Sequence, residues 1–334
     1  MATIGSSVLT LVDWAKRLDP NGATAKIVEM LAQDNAMLDD AMWKEGNLPT
    51  GHRATLRTSL PTVAWRRLNQ GTTPSKSTTA QVDFQTGMLD AWSETDVKLA
   101  TLNGNVKSFR LSEAVSFIEA MSQEMQQTMI YGTAAAEEEF VGFASYYDSL
   151  TDNSGENIIN AGSAGGQTDN MSMYLIGWGD RSAYGIFPKG SKAGIDHEDL
   201  GIVTVETTAG IAGSRMRAYQ DHWTWDAGLV VEDWRKSVRI ANIDKSALIA
   251  DPTGATVKLL EYMIDATHRQ YKPSSVTSAF YCNRVVAKML DIQAQNKTNV
   301  YLTVGMEEGK RKVSFRGIPI RTVDALTDSE TRLA

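Results

Sequence analysis

The sequence predicts an α+β protein of two or more structural units, in which helices and strands lie in separate stretches of the chain. Apolar residues recur at helical spacing over 6–45 and 111–131, whereas alternating or apolar runs typical of strands dominate 171–243. Cys282 is the one cysteine among 334 residues, so an internal disulfide framework is excluded. No apolar run approaches the ~18–20 residues that a membrane-spanning helix needs. The N-terminus lacks a signal-peptide pattern, and we therefore expect a soluble protein of a reducing compartment.

The charge is unevenly distributed along the chain. A net charge of −7 results from 33 basic and 40 acidic residues, yet no Asp or Glu occurs over 46–82. That segment carries five basic side chains, so the rest of the chain carries about −12. The five are Arg53, Arg57, Arg66, Arg67 and Lys76. A basic segment within an acidic molecule is complementary to other copies of that molecule.

The N-terminal third is predicted to contain two helices followed by a long hairpin. The helices are expected over 6–18 and from 24 to about 45, and turn residues end each of them. Two strands are predicted over about 53–67 and 78–101, joined by a tip near 69–76. Apolar residues are too sparse here for a separate core, so the hairpin is expected to lie against something else. A mobile, solvated loop is the alternative.

A long helix is predicted over 111–131, with Ser112 as its N-cap and Gly132 at its end. Apolar residues on two of its faces indicate that it is covered from two sides. Beyond a Gly- and Asn-rich loop over 151–170, strands are expected within 171–243 and over 276–281. Helices are expected over 253–271 and, capped by Asn283, to about 295; two strands, over 300–304 and 313–323, end the chain.

No residue constellation for catalysis, cofactor binding or metal binding is recognised. The four histidines are scattered, and no pair has the spacing of metal ligands. Lys189 precedes the second glycine of a Gly-rich stretch instead of following it, which excludes a phosphate-binding P-loop. His197 is expected in a solvated loop and Cys282 as an inert buried thiol. The sequence therefore predicts a protein that is not an enzyme and has no cofactor.

The eight tryptophans are spread over every segment, including the thin N-terminal ones. Aromatic residues in segments without a core indicate contacts between molecules, and this applies to Trp14, Trp43, Trp65 and Trp92. For Trp178, Trp223, Trp225 and Trp234 we expect ordinary local packing.

Four short motifs and the order of the elements resemble one family. The motifs are Tyr-Leu-Ile-Gly-Trp-Gly at 174–179, Arg-Ile-Ala-Asn-Ile-Asp at 239–244, Phe-Tyr-Cys-Asn-Arg at 280–284 and Phe-Arg-Gly-Ile-Pro-Ile-Arg at 315–321. They resemble the major capsid proteins of tailed double-stranded-DNA bacteriophages, which have the Hong Kong 97-type fold. Within these, the chain is most similar to proteins of short-tailed phages of the epsilon-fifteen and Bordetella-phage kind.

The resemblance implies a division of the chain into known parts. An N-terminal arm would occupy 1–45 and an extended hairpin loop 46–104. A peripheral domain with a spine helix would combine 105–150 with 301–334, and an axial domain would span 251–300. The β-rich segment 151–250 could be peripheral, axial or an insertion.

The implied function is a shell subunit that assembles into an icosahedral head around packaged double-stranded DNA. The implied partners are other copies of the chain, in hexamers and pentamers, together with portal and scaffolding proteins; a decoration protein is left open. The resemblance implies only non-specific contact with DNA, no membrane, assembly in the host bacterial cytoplasm and residence in the virion. The alternative is a nucleic-acid-binding module that uses the basic segment 46–82, although the acidic remainder would repel a polyanion.

Both basic and acidic side chains are predicted to lie at contacts between subunits. The hairpin would supply Arg53, Arg57, Arg66, Arg67 and Lys76, and the arm would supply acidic partners. Other acidic partners could come from the strand at 83–96 or from Glu137, Glu138 and Glu139, in the same or a neighbouring copy. The complete set predicted at inter-subunit contacts is Arg53, Arg57, Trp65, Arg66, Arg67, Lys76, Asp34, Asp39, Asp40, Glu45 and Trp14.

Overall fold

The computed structural model describes residues 33–102, 106–162, 168–206, 213–295, 302–307 and 310–333. The helices in these residues are Ala36–Asp40 (α1), Val97–Thr101 (α2), Val106–Tyr131 (α3), Phe143–Tyr146 (α4), Lys245–Ala250 (α5), Leu259–Arg269 (α6) and Arg284–Gln295 (α7). The strands are Trp43–Glu45 (β1), Gly51–Ser59 (β2), Thr78–Gln85 (β3), Gly87–Asp96 (β4), Ile158–Asn160 (β5), Asn170–Trp178 (β6), Ala183–Phe187 (β7), Asp196–Glu206 (β8), Arg215–Val231 (β9), Val238–Asp244 (β10), Thr277–Cys282 (β11), Leu302–Glu307 (β12), Lys310–Phe315 (β13) and Ile318–Thr322 (β14).

Strand β6 is the centre of a twelve-stranded sheet, and all nine of its residues are buried. The main path of the sheet runs β12, β13, β14, β11, β6, β7, β9 and β4; β10 also pairs with β6, β5 with β10, β1 with β7 and β8 with β9. Because successive side chains of a strand point to opposite faces, β6 contributes to two cores. Tyr174, Ile176 and Trp178 enter one core, whereas Met171, Met173 and Leu175 enter the other.

The first core lies under the spine helix, α3. Met121, Met125 and Met129 recur at helical spacing, and all three are at most 3% exposed. Val115 and Ile118 continue this stripe towards the start of the helix, and at 49% and 43% exposure they are only partly covered by the described residues. The helix ends at Tyr131 as predicted but begins at Val106, earlier than predicted.

The prediction that Ser112 is the N-cap of this helix is therefore wrong. Its hydroxyl lies inside α3 and donates to the Phe109 carbonyl, 2.7 Å away.

The second core lies between the sheet and the helices α6 and α7. Asn283 caps α7 as predicted, since its side-chain oxygen accepts the backbone N–H of Val286 at 2.9 Å. The helix predicted over 253–271 is shorter at its start, because the Asp251 carboxylate accepts backbone N–H groups from Thr253 and Val257 and holds a turn there.

The hairpin strands are also shorter than predicted. β2 and β3 pair from Gly51 opposite Gln85 to Ser59 opposite Thr78, and 60–77 has no regular strand. Pro61 and Pro74 lie in that segment, and proline lacks the N–H that a ladder needs. The second predicted strand is two strands: after Gln85 the chain leaves the hairpin, and β4 pairs with β9 over ten residues.

The helix predicted to reach 45 ends at Asp40, and the chain then continues as a strand. β1 pairs in parallel with β7, and the Trp43 ring lies over Gly185, where an added Cβ would come within 2.5 Å of the ring. Met37 is fully buried in the first core. The end of the predicted arm is thus part of the body of its own subunit. Residues 1–32 lie outside the described residues. The predicted helix over 6–18, the predicted start of the second helix at 24 and Trp14 are therefore outside them too.

Candidate inter-subunit surface

The base of the hairpin is fixed by side chains from both of its strands. Arg53 stands directly opposite Asp83, and its guanidinium donates to both carboxylate oxygens, at 2.5 and 2.7 Å. The Asn47 side-chain amide accepts a hydrogen bond from the Arg53 backbone N–H at 2.7 Å and donates one to the Arg53 carbonyl at 2.8 Å. The hydrogen bonds from Arg53 hold the pKa of Asp83 below its usual range. One predicted inter-subunit arginine is therefore already paired within its own hairpin.

The rest of the hairpin projects from the body. Every residue from 57 to 83 is exposed, so no side chain of this segment is buried in the described body. We call 60–77 the hairpin tip. It carries four exposed apolar side chains, Leu60, Val63, Trp65 and Leu68, and Trp65 is 105% exposed.

The basic side chains of the projecting segment have no acidic partner among the described residues. Arg66 donates to the Gln70 carbonyl at 3.2 Å, whereas Arg57, Arg67 and Lys76 make no side-chain hydrogen bond or ion pair there. The hairpin therefore presents four cations and four apolar groups to whatever approaches it.

The four acidic residues predicted as partners fall into two groups. Asp40 accepts from the Tyr281 hydroxyl at 2.9 Å and from Arg321 at 3.1 Å. Asp34 accepts from Thr322 of β14 at 2.8 Å. These two carboxylates thus bind the C-terminal half of their own chain.

Glu45 and Asp39 are both exposed. The Glu45 carboxylate accepts the backbone N–H of Gly190 at 2.9 Å, and Asp39 has no ion-pair partner among the described residues.

An acidic cavity lies where the hairpin joins the body. Its volume is about 210 Å³, and it opens between the start of β4 and the spine helix. Met88, Leu89, Met125 and Phe140 form its walls, and Glu124, Glu138 and Glu139 form its rim. We call it the base cavity. A second cavity of about 560 Å³ adjoins it, shares Glu139 and Phe140, and adds Glu137.

Sequence reasoning named three of these four glutamates as one of several acidic sources. It missed Glu124 and the cavity itself, because the walls come from three distant parts of the chain. The only available signal was an unbroken Glu137-Glu138-Glu139 run beside a buried phenylalanine.

The described residues contain no cluster of three or more His, Cys, Asp or Glu side chains that could hold a metal ion. Cys282 is fully buried, and burial raises the pKa of its thiol to about 12. His197 lies in β8 and stacks on Trp223 at 5.1 Å, so its prediction as a loop residue is wrong. None of the described helices is long and apolar enough to cross a membrane.

A central sheet with a long helix across one face and a projecting hairpin defines the class of the protein as a Hong Kong 97-type shell subunit. The family model of the major capsid protein GP7 matches residues 19–334. The chain belongs to this family, and it is a structural capsid protein of the phage virion, not an enzyme.

The solved structures include a near relative. The chain is similar to that of bacteriophage epsilon15, with 33% identity, a TM-score of 0.81 and full coverage of both chains. The capsid of a native GTA particle covers 67% of this chain and is itself 95% covered, at 8% identity and a TM-score of 0.46. No curated protein matches the chain. The epsilon15 match and the family model confirm the predicted fold class and capsid function.

Proposed function

We propose that the chain forms the hexamers and pentamers of an icosahedral shell that encloses packaged double-stranded DNA, and that the hairpin locks adjacent subunits together. The observation that supports this is that every residue of 57–83 is exposed in a protein of a capsid family. A segment with exposed Trp65 and unpaired arginines has the composition of an interface and not of a free surface.

The contribution of each hairpin arginine is small but repeated. An exposed ion pair is worth about 0–1 kcal/mol and is screened by salt. Each subunit brings Arg57, Arg66 and Arg67, so every contact in a closed shell would receive several such pairs. The planar guanidinium can bind a carboxylate through two bonds, which fixes orientation as well as distance.

Several predicted partners belong to this proposal. Portal and scaffolding proteins would act during assembly, which we place in the host bacterial cytoplasm. The surplus of negative charge outside 46–82 supports only weak, non-specific contact with packaged DNA. The same surplus argues against a nucleic-acid-binding module, for which no comparison offers support. The arm at 1–45 and the domain boundaries near 104, 150, 250 and 300 stay predictions.

The test is electron microscopy of the purified protein and of a charge-reversed variant. Wild-type protein should form closed icosahedral shells. Arg66→Glu combined with Arg67→Glu should prevent assembly, because the partners of these arginines are acidic, while the subunit still folds. A matched control is Arg215→Glu with Arg217→Glu, which makes the same charge change at two exposed residues of β9.

Circular dichroism should show the same secondary structure in all three proteins. If wild-type protein stays monomeric at every concentration, salt level and scaffold level, the proposed shell function is wrong. If both double variants lose assembly equally, net charge and not the hairpin decides assembly.

A further inference from the structure

The hairpin tip holds one side chain that is costly to leave in water. Trp65 has no packing contact with the described chain, and Val63 and Leu68 beside it are 89% and 92% exposed. A tryptophan buries on the order of 150–250 Å² when it packs, and such residues are frequent anchors at interfaces. The tip therefore requires an apolar acceptor elsewhere.

The base cavity has the size and lining of such an acceptor. Its volume of about 210 Å³ exceeds the ~150 Å³ of an apolar cavity that admits benzene, and an indole is one fused five-membered ring larger than benzene. Met88 is 81% exposed at the mouth, whereas Met125 and Phe140 form a buried floor, each 3% exposed. Methionine side chains adapt to the shape of an aromatic ring and attract it through sulfur.

The charges around the two features are opposite, and neither set is satisfied within the described chain. Glu124, Glu138 and Glu139 are exposed at the rim and make no ion pair there. Arg66 and Arg67 follow Trp65 directly in sequence. An indole in the cavity would consequently bring both guanidinium groups to the acidic rim.

A Trp65 side chain in the cavity would come from another copy. The cavity lies beside Gly87, at the base of the same hairpin whose tip is in question. β2 alone, from Gly51 to Ser59, extends about 27 Å at roughly 3.4 Å per residue, and Trp65 lies beyond its end in the exposed tip.

We infer that Trp65 of one copy inserts into the base cavity of a second copy, where Arg66 and Arg67 pair with Glu138, Glu139 or Glu124. This inference rests on the proposed shell function and names the partner surface of the hairpin. The indole supplies the stabilising apolar contact, and the arginines fix its direction.

The apolar half is tested by filling the cavity. Trp65→Ala should raise the subunit concentration needed for assembly roughly 30-fold, the loss expected for an anchor residue. Met88→Trp should have a similar effect, because the new indole occupies the mouth from within the same subunit. The matched control is Met42→Trp, an identical substitution at a 41% exposed methionine that does not line the cavity. Light scattering at 0.1 M and 0.5 M salt should show both effects at either salt concentration, since apolar burial is not screened.

The ion pairs of the inferred contact are tested by reversing the charges on both surfaces. Glu138→Arg with Glu139→Arg should restore assembly to the Arg66→Glu, Arg67→Glu variant. The same reversal at Asp39 and Glu45 should not restore it.

Each alternative outcome has a defined meaning. If wild-type protein forms shells but the 138/139 swap restores nothing, the docking site is wrong while the shell function stands. Rescue by the Asp39 and Glu45 swap would place the contact on the arm segment instead. Normal assembly of Met88→Trp would show that the cavity is empty in the shell or is filled by another segment. If wild-type protein forms no shells at all, the proposed function itself fails.

Discussion

Replacement of Glu330 by Gln should destabilise the unassembled subunit more than any single change in the hairpin. The Glu330 carboxylate closes a buried ion pair with Arg239, at 2.9 Å, and each side chain is 8% exposed. It also accepts from the hydroxyls of Tyr131 at 2.6 Å and Ser172 at 2.5 Å. These bonds connect the C-terminal tail to the end of the spine helix and to β6.

The size of the effect follows from the charge that remains. Without the carboxylate, Arg239 stays buried with only neutral partners, among them the Tyr147 carbonyl at 2.8 Å. Removal of one partner of a buried ion pair costs about 3–5 kcal/mol. Against a total stability of about 5–15 kcal/mol, such a loss is large. The free energy of unfolding falls by about 3 kcal/mol per molar of urea. The urea concentration at the unfolding midpoint should therefore be lower by roughly 1 M or more.

The assay is urea unfolding followed by tryptophan fluorescence, at a subunit concentration too low for assembly. Asp83→Asn is the control, because it neutralises a two-bond arginine pair whose members are both about half exposed. Its midpoint should move little, since water solvates the freed arginine. If Glu330→Gln shifts the midpoint no more than Asp83→Asn does, the buried pair does not stabilise the tail as argued.

Two further results are expected. Deletion of 1–20 should leave the urea midpoint of the subunit nearly unchanged and lower the yield of shells, because 33–45 already provides the core contacts; a large loss of subunit stability would contradict this. Two bonds from Arg284, at 2.5 and 2.7 Å, lower the pKa of Asp324, so its stabilising contribution is present above pH ~4 and is lost as the pH falls through the lowered value. Asp324→Asn should therefore lower the midpoint at pH 7 and flatten its decrease towards pH 3; parallel curves would rule out this pair as a source of the acid sensitivity.

The sequence predicted the hairpin but not its internal pairing. Low apolar content and the Gly and Pro residues near its tip were local signals, and both strands and their connection are present. The register is not local, because a connection of eighteen residues, 60–77, does not fix which residues face each other. The acid-free segment ends at Val82, one residue before Asp83, so composition alone could not show that Arg53 has a partner in its own chain.

Contacts between distant parts of the chain also explain why the end of the arm was predicted incorrectly. Helical spacing of apolar residues was correct as a sign of burial, since Met37 is buried, but it could not show that the chain then turns into a strand. That turn depends on Gly185, whose missing side chain leaves room for Trp43 more than a hundred residues away. The base cavity escaped sequence reasoning for an equivalent reason, because β4 and the spine helix are brought together only by the sheet.

The distribution of charge also favours one geometry of association over another. Two hairpin tips repel each other, since each carries Arg66, Arg67 and Lys76 and no acidic residue. A symmetric tip-to-tip contact is therefore disfavoured, whereas contact between the tip and the acidic rim at Glu138 and Glu139 is attractive. A contact between two different surfaces of one chain is head-to-tail, and repeated head-to-tail contacts close into rings when the rotation between copies closes and form open filaments when it does not. If Trp65 docks as inferred above, the charges keep the apolar tips of free subunits apart and direct each tip to a head-to-tail contact, the kind of contact that can form a ring of subunits.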